Sequence, residues 1–359
     1  MTMVRVELGP RSYDIAVGSG LLSDAAAFLQ ARHPGRHAVL ICDANVSTTY
    51  GQPLQTELTA AGYRCDLLEV PAGEQSKCLA EVDRLWNELL RCKTDRKSLV
   101  IAVGGGVVGD LAGFVAATFT RGLAFFQIPT TLLAQVDSSV GGKVGINLPA
   151  AKNMVGAFWQ PSGVLIDLDA LRTLPKREFL SGLAEVVKYG MILDAPFFEY
   201  LESVVPQLLA RDGAVLETVV ARCCELKAQV VAQDEREETG LRAVLNYGHT
   251  FCHAIEAVSG YGTFLHGEAV AIGMLLASRL AERLGRIDAA LTERQRALLQ
   301  ALELPIAVQG LDAQQLLAAM QHDKKVEHGK LRFVLPTRMG NVELVGGVSP
   351  DLVLQVLQG

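Results

Sequence analysis

The chain has no surplus of positive charge: 33 Lys and Arg stand against 39 Asp and Glu, a formal net charge of -6. Affinity for a nucleic-acid backbone comes from clustered cations that displace counterions, so nucleic acid is excluded as an expected partner. A disulfide or metal-ribbon framework is missing as well. The seven cysteines, at 42, 65, 78, 92, 223, 224 and 252, are odd in number and form no C-x-x-C pair, so they read as reduced thiols, mostly core. Nor is there an uninterrupted apolar run. Residues 98–136 carry only Asp110 and Arg121, but glycines and Pro129 cut the stretch, and neither uncharged piece before Arg121 reaches the ~18 to 20 residues of a helical crossing. A membrane is therefore not an expected partner. Residues 1–10 include Arg5 and Glu7 and have no apolar h-region, so no secretion signal is visible and the cytoplasm is the expected location.

What is present is a compact-protein composition, 50% apolar and 20% charged, over 359 residues, enough for about two domains. The first half alternates β-branched runs with helical spacing. Strands are expected at 37–42, 64–70, 98–103 and 124–128, with a helix at 76–91 whose Leu79, Val82, Leu85, Trp86, Leu89 and Leu90 share one face. Such alternation predicts a mostly parallel sheet with covering helices. A polar, glycine-bearing loop is expected from 130 to 153. Beyond 178 the texture is helical, through 178–191, 213–233, 243–259, 267–285 and 290–303, with a short hairpin at 330–335 and 341–345. The expected domains are 1–175, α/β, and 176–359, helical.

Three segments point to chemistry. The run G-G-G-V-V-G-D places Gly104, Gly106 and Gly109 in a G-x-G-x-x-G pattern after a strand, with a helix expected to open near Asp110, where backbone N–H groups can hold a pyrophosphate. No acidic residue lies between 111 and 136 to meet a ribose, so Asp43, at the end of an earlier strand, is the better candidate, with Glu74 and Lys77 at the same carboxyl edge of the sheet. The 129–153 segment carries hydroxyls, paired glycines, Lys143 and Lys152, suited to an anionic small molecule. Finally, His249, His253 and His266 fall within 18 residues, and Glu185 and Lys188 sit one turn apart among apolar residues, where an unpaired carboxylate would be costly. A glutamate with two or three histidines makes an open N/O metal site suited to Lewis-acid work; His249 and His253 at i, i+4 could chelate, and spacing alone leaves open which histidine stays off the metal.

Together these segments resemble the 3-dehydroquinate synthase family over nearly the whole chain. The resemblance rests on G-E-Q-S-K at 73–77, the glycine turn at 104–110, I-P-T-T-L-L-A-Q-V-D-S-S-V-G-G-K at 128–143, K-N at 152–153, A-E-V-V-K at 184–188, L-R-A-V-L-N-Y-G-H-T at 241–250, H-G-E-A-V at 266–270 and D-K-K at 323–325. It implies a Rossmann-like, NAD-binding α/β domain followed by a helical metal- and substrate-binding domain. It implies zinc, with cobalt possible, on Glu185, His249 and His266. NAD contacts are implied for Asp43, Asn45, Glu74, Gln75, Lys77, Gly105, Gly106, Val107, Gly109, Asp110, Thr130, Thr131, Lys143, Lys152, Leu171, Arg172 and Thr173. Catalytic roles are implied for Lys143, Lys188, Asn246, His253, Glu238 and Arg242, and substrate binding for Arg121, Asp137, Lys152, Asn153, Lys227, Lys324 and Lys325. The implied activity is a phosphate-eliminating lyase acting on an anionic sugar phosphate in aromatic amino acid biosynthesis, with Arg121 reaching across a homodimer. Two positions depart from the family pattern: Cys252 stands where glycine is usual and Val144 where threonine is commoner.

Overall fold

The computed structural model describes residues 1–149, 151–260, 262–308, 310–321 and 331–359. These divide into two compact units, Met1–Leu174 with Leu216–Arg236, and Pro175–Val215 with Glu237–Gly359.

In the first unit the chain runs β1 (Thr2–Val6), β2 (Tyr13–Gly18), α1 (Ala25–Gln30), β3 (His37–Asp43), α2 (Gln52–Ala60), β4 (Arg64–Val70), α3 (Leu79–Arg91), β5 (Leu99–Gly104), α4 (Gly106–Thr118), β6 (Ala124–Pro129), β7 (Lys143–Leu148), β8 (Ala151–Phe158) and β9 (Gly163–Asp167). Seven strands form one sheet in the order β1-β2-β9-β6-β5-β3-β4, parallel throughout except for the β1–β2 pair. Both faces are buried because side chains alternate along each strand. Val39, Ile41, Val100 and Ala102 face one layer with residues of α3 and α4, while Ala38, Leu40, Ile101 and Val103 face the other with residues of α1 and α2. The connection leaving β3 runs outward to β4, whereas the one leaving its neighbour β5 runs the opposite way to β6. The carboxyl ends of β3 and β5 are thus the topological switch point of the sheet, where open α/β sheets bind ligands.

The structure departs from the sequence reading in four places here. Strands β1, β2 and β9 were not expected; β1 and β9 are only five residues long, and Arg5 breaks the apolar texture of β1. The helix after β5 opens at Gly106 rather than near Asp110. The segment expected as a loop contains a π-helical turn, Ala134–Ser138, and the antiparallel β7–β8 hairpin, in which Gly145 opposes Gly156. That glycine pair removes the apolar alternation by which a strand is recognised. Last, Leu216–Arg236 belongs to the first unit. Its helix is tied there by Thr2 Oγ1 donating to Glu217 (2.8 Å), Arg11 to Glu235 (3.2 Å) and Lys227 Nζ to Asp137 (2.7 Å). Periodicity identifies a helix, not the neighbour it packs on.

The second unit contains α5 (Lys176–Leu193), α6 (Ala195–Ser203), α7 (Val205–Leu209), the start of α8 (Gly213–Gln233), α9 (His249–Ser259), α10 (His266–Arg283), α11 (Ala289–Ala301), α12 (Ala313–Gln321), the β10–β11 hairpin (Arg332–Arg338, Asn341–Gly346) and α13 (Pro350–Gln358). The helix expected over 243–259 is two pieces, a 3-10 turn at Leu241–Asn246 and then α9. Gly248 makes the break, at φ 79°, and a Cβ there would lie 2.7 Å from the Met274 backbone nitrogen. Among the described residues no helix is long and apolar enough to cross a membrane.

Candidate active site

The second unit gathers its charged groups around one carboxylate. Glu185 lies mid-helix in α5 and is 0% exposed. Its Oε2 pairs with Lys188, one turn on and itself buried, while Oε1 faces His249 Nε2 at 3.7 Å and His266 Nε2 at 3.6 Å. Neither imidazole distance is a hydrogen bond, so Oε1 is left without a donor while the Lys188 ammonium balances the charge from the Oε2 side. A buried carboxylate oxygen facing only imidazole nitrogens is a site where a bound cation would add favourable charge.

Local chemistry aims the histidines. Each opens a helix: His249 is the first residue of α9 and His266 the first of α10. The start of α10 is capped because Glu268 reaches back to accept from the Leu265 N–H (2.8 Å) and itself accepts from Arg177 Nε and Nη2, both at 2.7 Å. Gly267 brings this end against α5. A Cβ at 267 would lie 1.8 Å from the Ser181 carbonyl oxygen, and the Gly267 N–H donates to Ser181 Oγ at 3.0 Å. His249 Nδ1 stands 3.1 Å from the Tyr247 carbonyl, so the proton belongs on Nδ1 and the Nε2 lone pair faces Glu185. Burial works against the charged form of His266, yet Cys252, Glu185 and Glu256 hold its pKa well above the ordinary value.

Glu185, His249 and His266 therefore fit a divalent metal: one carboxylate and two imidazoles with ligand atoms mutually within 4.8 Å, leaving a coordination position for a reactant. Cys252, Glu256 and His266 form a second close group. His253 belongs to neither; its ring stands edge-on to His249 at 5.8 Å. Arg242 is 2% exposed with Nε 3.7 Å from Glu237, Asn246 is half-buried at the end of the 3-10 turn, and Glu238 is exposed. Lys324 and Lys325 lie outside the described residues.

In the first unit the expected nucleotide groups gather at the switch point. Asp43 ends β3, and burial raises its pKa although it accepts the Asn45 N–H at 2.8 Å; such a carboxylate is a strong acceptor for ribose hydroxyls. Gly104 ends β5 beside it, and the N–H groups of Gly106, Val107 and Val108 at the start of α4 have no intrahelical acceptor. With no acidic side chain in that first turn, the site fits the pyrophosphate of a dinucleotide. Thr130, buried with an unpartnered hydroxyl, follows β6, and Thr131 comes next to it. Leu171, Arg172 and Thr173 follow β9, where the Thr173 hydroxyl meets Tyr50 OH at 2.6 Å.

A network at the same edge joins three segments. Lys77, 4% exposed, donates to Asp110 and to Asn153, both at 2.6 Å. Burial pushes the Asp110 carboxyl up, and the Lys77 ammonium opposes it. Asn147 Nδ2 donates to Glu74 at 2.7 Å and its oxygen accepts from the Asn153 N–H at 2.9 Å, with Asn153 itself at φ 55°. The β7–β8 hairpin bearing Lys143 and Lys152 is thereby tied to the 74–77 turn and to α4. Gln75 is exposed beside this turn, as are Lys143 and Arg121, while Lys152 is half-buried. Asp137, in the π-helical turn, accepts from Lys227 through both its backbone oxygen (2.6 Å) and Oδ1 (2.7 Å). The sequence reading missed Asn147 and Glu256. Glu256 had a signal, falling seven residues after His249 on one face of the same helix.

Comparison with known proteins bears on the family of the chain as a whole. The 3-dehydroquinate synthase N-terminal family model matches residues 67–181 and the C-terminal model residues 182–326. The chain is 52% identical to the 3-dehydroquinate synthase of Rhodopirellula baltica, over 99% of this chain and 96% of that protein. Among solved structures, 2-deoxy-scyllo-inosose synthase complexed with carbaglucose-6-phosphate, NAD+ and Co2+ superposes with a TM-score of 0.92 at 27% identity, over 99% of each chain. The 2-epi-5-epi-valiolone synthase of Streptomyces hygroscopicus with NAD+ and Zn2+ bound gives 0.89 at 28%, over 98% of this chain and 96% of that one.

Proposed function

The chain belongs to the 3-dehydroquinate synthase family, and we propose that it is a carbon–oxygen lyase converting 3-deoxy-D-arabino-heptulosonate 7-phosphate to 3-dehydroquinate and phosphate, in the shikimate pathway to chorismate and the aromatic amino acids. The overall change is oxidation of a ring hydroxyl, phosphate elimination, reduction, ring opening and intramolecular aldol closure. We assign it to a cytoplasmic homodimer in which Arg121 serves the partner's substrate. The observation that carries the reading is the buried Glu185 carboxylate, with Lys188 on one oxygen and the Nε2 atoms of His249 and His266 turned to the other.

Glu185, His249 and His266 would hold zinc, or cobalt in its place, which when bound supplies electrostatic stabilisation of an oxyanion worth several kcal/mol in a dry site. NAD, which accepts and returns one hydride per turnover, would be held by Asp43, Asn45, the 74–77 turn, the start of α4, Thr130, Thr131 and residues 171–173. Lys143 and Lys152 on the hairpin serve both cofactor and substrate. Lys188, Asn246 and His253 hydrogen-bond the oxygens that gain charge, and Glu238 and Arg242 complete the polar set. Asn153, Lys227 held by Asp137, Lys324 and Lys325 match an anion bearing both phosphate and carboxylate. The substrate's own phosphate takes the proton from the acidified C–H, so no separate strong base is required.

The test supplies zinc, catalytic NAD and the heptulosonate phosphate, and follows phosphate, 3-dehydroquinate and NADH. Equal phosphate and product with no net NADH is the expected result. A protein that instead releases phosphate only from heptulose 7-phosphate, which lacks the carboxylate, is a related sugar phosphate cyclase. One that accumulates NADH from a polyol is a dehydrogenase. Either outcome rejects the assignment.

A further inference from the structure

The group Cys252, Glu256 and His266 shares one histidine with the proposed metal site, and the two groups cannot be used independently. A neutral imidazole that gives its Nε2 lone pair to a cation keeps its proton on Nδ1, and that N–H needs an acceptor. His249 has one in the Tyr247 carbonyl, 3.1 Å from Nδ1. His266 Nδ1 lies 3.4 Å from Glu256 Oε1 and 3.8 Å from Cys252 Sγ. Of these the carboxylate is the strong acceptor; a thiol sulfur accepts weakly. The Glu256 side chain is 13% exposed, and its helix supplies His249 two turns earlier.

We propose that Glu256 is a positioning residue: it holds the Nδ1–H of His266 and so fixes the tautomer and ring angle that turn Nε2 toward Glu185. The proposal rests on the metal reading of Glu185, His249 and His266. One helix then provides a ligand, His249, and the orienting partner of another, His266, so α9 and the start of α10 act as one unit. The second cluster is the outer layer of the first rather than a separate cation site.

The test uses the full chain, stripped of metal, with zinc affinity read by competition with a chelating dye and coordination read from the visible absorption of the cobalt-loaded protein. Glu256→Ala is expected to weaken zinc binding about 10- to 100-fold and to shift the cobalt bands. Glu256→Gln, which keeps an acceptor oxygen, is expected to recover part of the loss. The melting temperature of the metal-free variants separates this role from a structural one. Wild-type zinc affinity and cobalt spectrum in Glu256→Ala overturn the proposal, as does an affinity loss that follows the metal-free melting temperature and is not relieved by Gln. Cys252→Gly is expected to stay within about twofold of wild type; a loss equal to that of Glu256→Ala assigns the partner to the thiol and overturns the proposal too. Failure of the underlying reading looks different: unmodified protein without stoichiometric zinc, or His266→Ala retaining it.

Discussion

In the helical unit the candidate site centres on two long side chains sealed from water, Glu185 at 0% and Lys188 at 1% exposure, beside a close approach of two helices at Gly267. Along the carboxyl edge of the sheet the candidate groups are backbone N–H donors at the start of α4 and half-exposed polar side chains, braced by Lys77. The first region carries a desolvated ion pair, Glu185 with Lys188, that faces two imidazoles. The second combines fixed dipoles at a strand-to-helix turn with one buried ion pair, Lys77 with Asp110, that braces it from the side. The difference is that charge lies at the centre of the first site and at the edge of the second.

The contrast is tested most severely at Lys188. Lys188→Met leaves Glu185 buried without its ammonium partner, so the metal-free protein is expected to lose about 3 to 5 kcal/mol of unfolding free energy, with much of that loss relieved by zinc. Denaturant melts with and without zinc check this; equal losses in both states would erase the distinction between the two regions. Gly267→Ala comes next. The new Cβ has no room beside the Ser181 carbonyl, so α10 must shift, at an expected cost of about 1 to 3 kcal/mol together with weaker zinc binding, while NAD binding stays unchanged. Isothermal titration with each ligand reads the two effects separately.

At the sheet edge, Lys77→Met removes two hydrogen bonds, one to the Asp110 carboxylate, and is expected to weaken NAD binding about 10-fold with zinc affinity intact. A loss of zinc in this variant would join the two regions energetically and break the comparison. The smallest effect belongs to the Arg11–Glu235 pair at the end of α8. Its hydrogen bond from Arg11 lowers the Glu235 pKa, so its stabilisation is present above the ordinary glutamate pKa of about 4.3 and is lost as pH falls through the depressed folded value. The melting temperatures of wild type and Glu235→Gln are expected to differ slightly at neutral pH and to converge in that acid window, with salt reducing the difference.

Much of this architecture is legible in one dimension. The strands at β3, β5 and β6 announce themselves because each is largely buried and ends at a turn residue, β4 because its apolar run stops before Pro71, and α3 because its leucines repeat at helical spacing. The short β1, broken by Arg5, and the glycine-paired β7–β8 hairpin leave little apolar signal, so only pairing in space identifies them, whereas β9 carries Val164, Leu165 and Ile166 and escapes notice by its length alone. The same division runs through the site. Lys77 reads from its motif as a nucleotide contact, yet its amine bonds Asp110 and Asn153, a partnership between residues 33 and 76 positions away that no local pattern encodes.

By itself the sequence determined the class of the sheet, the helical character of the second half, the glycine turn after β5 and the residue types from which a Glu, His, His centre can be built. These are local properties, set by side-chain period, backbone freedom at glycine and the cost of isolated charge. Tertiary structure alone decided that residues 216–236 join the first unit, that Nε2 rather than Nδ1 of His249 and of His266 turns toward Glu185, and that Glu256 faces the far nitrogen of His266. Such choices depend on how close two helix backbones come and which ring atom meets which oxygen, and those distances exist only once the chain is packed.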